Sequence, residues 1–233
     1  MKQLKALLFG LLVMSICSSY DLRETGKQSN SRASHRAPKP NTVLLVYIGQ
    51  LTGSMSISLG IHFEMDSSIG FRYEVTMERG NSVFSHTAIF YKFSSPKQTI
   101  IYNFLTHHSS VNTGNNSSSG DPKLTVVGTE SIDSFTCTHL QHTGGDNDNK
   151  SVSDYWMSPQ IPGFSTLANA VNAISPGLFS MGINGTIFNW GGLVKLNMIE
   201  NSSSGPSAAM SLHLQEANRD LSFPASDFDV PAK

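Results

Sequence analysis

Histidine, cysteine and carboxylate side chains are the groups here that could ligate a metal or move protons, and the chain has eight histidines and two cysteines. His107 and His108 are adjacent, so on a strand they point to opposite faces, and they converge only from a loop. His139 and His142 are three apart, which on a strand again means opposite faces. Asp146-Asn147-Asp148-Asn149 resembles the start of a calcium loop. Such a loop needs glycine at its sixth position and glutamate at its twelfth, where this chain has Ser151 and Met157. The run therefore reads as a polar hairpin loop. Glu64, Glu74, Glu78 and Asp154 have the right type for paired acid–base work but no spacing that specifies it, and they read as solvated strand residues. Cys137 as a nucleophile would need a neighbouring base, and as a small buried strand residue it needs nothing. No serine-hydrolase elbow, phosphate-binding glycine loop, dinucleotide fingerprint or His-Glu-x-x-His motif is present. No catalytic residue, metal ligand or cofactor is assigned.

Apolar side chains are the stronger signal. After Gly70, residues Phe71, Tyr73, Val75 and Met77 alternate with Arg72, Glu74, Thr76 and Glu78, which describes a strand with one dry and one wet face. Similar runs occur at 43–48, 61–66, 83–93, 98–105, 124–130, 135–141, 152–157, 194–198 and 208–214. Gly80-Asn81 marks a turn. Stretches 109–120 and 143–151 are polar loops. Phe164, Leu167, Ala168, Val171 and Ile174 recur on one face of a 3.6-residue helix. Pro162-Gly163 precede it, Ser165 offers an N-cap, and Pro176-Gly177 end it. Trp156, Phe164, Phe179, Phe188 and Trp190 crowd around this helix in sequence, either as core or as the wall of an apolar site.

The expected fold is α+β, mainly antiparallel β, with about nine or ten strands and one main helix. One helix of about eleven residues cannot cover so many flat strands, so the sheet should curve around it and form a half-barrel with an apolar concavity. The candidate ligand-binding residues are Phe71, Tyr73, Val75, Met77, Trp156, Phe164 and Leu167.

Charged residues make up 14% of the 233 residues and the formal net charge is -1, which argues against a nucleic-acid binder. Lys2 and Lys5, the apolar run 6–16 and the small residues Ser18 and Ser19 have the order of a bacterial secretory signal. One reading cleaves after Ser19; the other lipidates Cys17, which would give a membrane anchor. Residues 20–41 read as a disordered tether, and 42–233 as a single β-rich domain. Either way the mature domain keeps one thiol, Cys137, and no disulfide. The Asn-x-Ser/Thr triplets at 116, 184 and 201 read as accidental in an exported bacterial protein.

The second half also carries an ordered set of short motifs: Val126-Val127-Gly128-Thr129-Glu130 through Phe135-Thr136-Cys137-Thr138-His139, then Asp154-Tyr155-Trp156-Met157-Ser158-Pro159, Ile161-Pro162-Gly163-Phe164, and finally Leu221-Ser222-Phe223-Pro224 through Pro231. This order resembles exported bacterial proteins of an uncharacterised domain family, which are in turn similar to the LolA-like lipoprotein-carrier fold. Ser134 stands where that pattern has glycine. The resemblance implies a half-barrel sheet wrapped over helical elements. The expected function is a non-enzymatic periplasmic or cell-envelope protein that binds a lipid-like or other apolar ligand in the concave face. The alternatives are a structural or partner-binding envelope module with a filled core, and a metal-dependent hydrolase.

Overall fold

A computed structural model describes residues 42–94, 99–112, 123–145, 149–161, 185–202, 207–219 and 221–231. The strands are β1 Thr42–Thr52, β2 Ile57–Asp66, β3 Gly70–Arg79, β4 Ser82–Lys92, β5 Thr99–Asn103, β6 His108–Asn112, β7 Leu124–Ile132, β8 Phe135–Gly145, β9 Asn149–Ser158, β10 Gly192–Ser202 and β11 Ala208–Arg219. They form one 11-stranded sheet in the order β6-β5-β4-β3-β2-β1-β11-β10-β9-β8-β7. All pairings are antiparallel. Two up-and-down meanders, β1–β6 and β7–β11, are thus joined along the β1–β11 pair, where Leu51 faces Met210 and Val43 faces Arg219. The sheet is open, with β6 and β7 at its edges.

Period-two patterning decides which face is dry. Val43, Leu45, Tyr47 and Leu51 on β1 share one buried cluster with Ile57, Leu59, Ile61, Phe63 and Met65 on β2. The same cluster continues through Phe71, Tyr73 and Met77 to Ile89 and Tyr91 on one side, and through Met210, Leu212, Leu196, Tyr155 and Leu140 on the other. Aromatic rings tie neighbouring strands together here. Phe63 stacks on Phe71 at 5.8 Å, and Phe71 on Tyr91 at 5.6 Å. Such ring pairs add about 0.5–1.5 kcal/mol beyond simple burial.

Covalent geometry excludes a flat sheet. Asn112 ends β6 and Leu124 begins β7, at opposite edges of the sheet. The chain joining them reaches at most about 43 Å when fully extended. A flat sheet of this many strands would be about 48 Å wide. The edges must therefore bend toward each other.

The structure corrects the sequence reading in two places, the strand count and the 143–151 loop. The described residues form eleven strands rather than nine or ten. The extra one, β6, lies in a stretch whose Ser-Ser-Val-Asn composition carries no apolar alternation; its pairing with β5 defines it, with Ile100 opposite Val111. Strands β8 and β9 extend into the expected 143–151 loop, because Thr143 and Gly144 pair with Val152 and Ser151. The C-terminal Phe-x-x-Pro stretch forms a short 3-10 turn, Ala225–Phe228, that packs on the other face of the sheet. Phe228 is buried there, Val230 covers Ala88, Phe90 and Tyr102, Lys92 pairs with Asp229, and the Thr42 hydroxyl donates to the Leu221 carbonyl at 3.0 Å. The helix read at 164–174 lies outside the described residues, as do the leader and tether at 1–41. Among the described residues the helical pieces are two 3-10 turns, and no helix is long and apolar enough to cross a membrane.

Gly49 marks the tightest point of the β1–β11 joint. A Cβ built there would lie 2.0 Å from the Ser211 carbonyl oxygen. Gly49→Ala should therefore force the joint apart and lower stability by about 1–3 kcal/mol, as overpacking does. Gly128→Ala meets nothing within 4 Å and should leave stability unchanged. Urea unfolding of the two variants checks this.

Candidate functional site

The apolar face collects three of the seven residues singled out in sequence and part of a fourth. Phe71, Tyr73 and Met77 are buried side by side on β3, and Val75 is half-buried between them. Apart from the strands, the described residues that pack on this face are Met55, Phe93, Ile161 and Ile187. Phe164 and Leu167 lie outside the described residues. Sequence reasoning missed Phe63 and Tyr91, which stack on Phe71 from either side. Their signal was present in the alternation of β2 and the aromatic run of β4, but which strands were neighbours was not.

The polar groups on this face include tyrosine hydroxyls and the buried Ser153 beside Tyr155. Tyr47 donates to the Leu193 carbonyl at 3.0 Å, which secures β1 against β10 across β11. Burial pushes the Tyr47 and Tyr73 hydroxyls well above the ordinary tyrosine value, and Tyr155 up to about 12. Burial disfavours the phenolate, so this face tolerates hydroxyls but not charge.

Trp156 is buried in the same core cluster, but its indole turns to the opposite face. Its neighbours Tyr155 and Met157 fill the apolar side, and strand alternation turns the indole the other way, opposite His139 and Lys195 in the register. His139 stacks on it with centroids 4.4 Å apart, and the Lys195 ammonium sits 4.7 Å from the ring centroid. The indole N–H donates to Glu130. His139 holds Asp154 through Nε2 at 2.9 Å, and its Nδ1 faces Glu130 at 3.6 Å. Gln141 donates to the same Asp154 oxygen. Both imidazole nitrogens thus meet carboxylates. The group ties β7–β10 together, and among the described residues the histidine nitrogens meet carboxylates rather than a hydroxyl or thiol.

A second charged network occupies the same face over β2–β4. Arg72 pairs with Glu74, Glu74 with His86, and Glu64 with His62 at 3.3 Å. His86 stacks on Phe104 at 4.1 Å. Glu64 and Glu74 are largely covered rather than solvated as the sequence suggested. Burial raises the Glu64 carboxyl above its ordinary value, opposed by His62 and Arg72. The reason for the difference is tertiary: Arg72 and His86 close on Glu74, and the C-terminal turn packs against β3 and β4 with Asp227 near Glu64.

The remaining candidates are scattered. His107 sits in the β5–β6 turn with its Nδ1 3.2 Å from the Tyr102 hydroxyl, and His142 Nδ1 lies 3.2 Å from the Lys123 carbonyl. Cys137 is buried and its thiol is pushed up, chiefly by burial. Among the described residues no cluster of three His, Cys, Asp or Glu side chains could hold a metal ion.

The model of a family described as Domain of unknown function (DUF4412) matches residues 50–233. No curated protein matches the sequence. Among solved structures, the chain is similar to an outer membrane lipoprotein-sorting protein domain from Vibrio parahaemolyticus at 8% identity, covering 83% of this chain and 91% of that one, with a TM-score of 0.31. A LolA superfamily protein from Nitrosomonas europaea matches at 10% identity over 83% of this chain and 92% of its own, with a TM-score of 0.29. The Mycobacterium tuberculosis lipoprotein LppX matches at 10% identity over 75% and 86%, with a TM-score of 0.33.

The tyrosines give an alkaline signature. A hydroxyl with a raised folded pKa contributes stability that is complete below the unfolded value of about 10 and is lost as pH rises toward the folded value. Tyr155 alone should cost about 2–3 kcal/mol between pH of about 10 and 12. Urea midpoints measured across that window should fall, and Tyr155→Phe should flatten the fall.

Proposed function

The chain belongs to the DUF4412 family, and we propose that it is a non-enzymatic protein of the bacterial cell envelope that holds a lipid-like or other apolar ligand against the apolar face of its curved sheet. One observation carries this reading: a continuous apolar face running from β4 across to β8, onto which few described residues outside the strands pack. Each Å² of such surface withdrawn from water is worth about 25 cal/mol, so an acyl chain laid on it gains free energy without any directional contact. Phe71, Tyr73, Val75 and Met77 are the proposed contacts on β3. The pattern at 164–174 supplies Phe164 and Leu167 as a sequence-level candidate for the covering wall. Trp156 leaves the proposed site, since its indole is on the other face.

Export is part of the same proposal and rests on the leader-like order of 1–19 and on the resemblance of the second-half motifs. Anchoring through lipidated Cys17 and release after Ser19 remain the two forms it can take. Near-zero exposure of Phe63, Met65 and Phe71 favours a second reading, a partner-binding envelope module whose core is already full.

Native mass spectrometry of protein purified from its host envelope separates the two. The ligand-binding reading expects a co-purifying acyl lipid, and uptake of phosphatidylglycerol by protein stripped of it. Val75→Asp should weaken that uptake about tenfold or more, while Thr76→Asp on the opposite face should not. Clean apo protein that takes up no lipid establishes the filled core instead.

A further inference from the structure

The face opposite the apolar cluster carries a groove of about 600 Å³ crossing β3, β2, β1, β11 and β10. It is separated from Phe63, Phe71 and Tyr73 by the thickness of the sheet, so it stands independently of the lipid reading. Gln50, Ser58, Thr76, Glu78, Asn197 and Ser211 line it, and among the described residues none of these six side chains has a hydrogen-bond partner. Charge is confined to its ends. Glu78 is on β3 at one end, and Lys195 and His213 are on β10 and β11 at the other. Four strand spacings separate those ends, about 19 Å.

The floor has an unusual composition. Ile48 is 49% exposed, and Gly60 stands directly opposite it in the register, with Thr76 on its other side. Glycine within a strand is unfavourable and commonly marks a close approach of backbone or ligand. Gly49 has such a reason in the Ser211 carbonyl. Gly60 does not: its backbone is in an ordinary region, and a Cβ there would meet only the Thr76 Cβ at 4.0 Å. A side chain would fit, and it would project into the groove. The missing side chain keeps the floor low beside a half-exposed isoleucine.

Hydroxyl and carboxamide groups both donate and accept hydrogen bonds. A row of them around a low apolar floor, with charge only at the ends, complements a neutral polyhydroxylated chain whose rings have an apolar face. Carboxamides at Gln50 and Asn197 match the amide of an acetamido substituent, and Ile48 matches its methyl. A peptide strand is a poorer match. Strand addition needs a free backbone edge, and the groove crosses strands whose backbone groups are already paired on both sides. We infer that this groove binds a short glycan bearing 2-acetamido groups, and that Gly60 is glycine to admit it.

The test uses the full mature chain and the β-1,4-linked tetramer of N-acetylglucosamine, followed by calorimetry and by amide chemical shifts. The wild type should bind, with shifts confined to β1, β2, β3, β10 and β11. Gly60→Val should weaken binding about tenfold or more, while its urea midpoint equals or exceeds the wild-type value and its phosphatidylglycerol uptake is unchanged. Asn197→Ala should weaken binding at an unchanged midpoint and serves if Gly60→Val does not fold. Absence of tetramer binding to the wild type overturns the inference. So does wild-type affinity in Gly60→Val or in Asn197→Ala. A marked fall in the Gly60→Val midpoint with Asn197→Ala binding normally also overturns it, since Gly60 would then serve the curvature of β2. Displacement of the tetramer by an unstructured peptide of matched length overturns the ligand class.

Discussion

The pairing of β1 with β11 is the constraint on which the rest of the molecule depends. These strands lie far apart in sequence, and their pairing turns two local meanders into one surface. Each meander alone would expose an apolar side with nothing to continue it. Joined, they place Tyr47 opposite Leu214 and Leu51 opposite Met210, and the dry face becomes continuous. The close approach at Gly49 and the register shift between Val46 and Tyr47 show how tightly the joint is fitted. Pairing of such sequence separation carries a loop-closure cost that only a large buried area offsets.

From that joint follow two surfaces with opposite chemistry. On one, hydroxyls are the polar groups and burial holds the tyrosines neutral. On the other, imidazoles and carboxylates pair across strands, once around Trp156 and once beneath the C-terminal segment. Between these two charged clusters the polar face is left uncovered, and the groove at Gly60 lies there. The charged clusters stand on either side of an open floor and pair internally, although Glu64 Oε2 and Arg72 Nε are buried without a hydrogen-bond partner among the described residues.

Strand identity was legible in the residues because period two is a local property. The alternation of Phe71, Tyr73, Val75 and Met77 with Arg72, Glu74, Thr76 and Glu78 assigned β3 and its dry face correctly, and the turn at Gly80-Asn81 is where it was expected. It failed at β6, where Ser109 and Ser110 are strand residues only because β5 offers them partners. It failed differently at Trp156. An aromatic residue is apolar by type, yet one position in the pleat decides its face, and here the indole serves a histidine and a lysine.

The sequence by itself determined the local alternation, the antiparallel β class, the need for curvature and the family membership, since each follows from neighbouring residues or from the length of chain between them. Which strands lie side by side was decided only in three dimensions. That neighbourhood placed Phe63 and Tyr91 around Phe71, brought Glu130 to Trp156, packed the C-terminal segment on Ala88, Phe90 and Tyr102, and set Gly60 opposite Ile48. Register and curvature belong to the assembled sheet: they arise when distant strands share one buried face, and no short window of residues contains them.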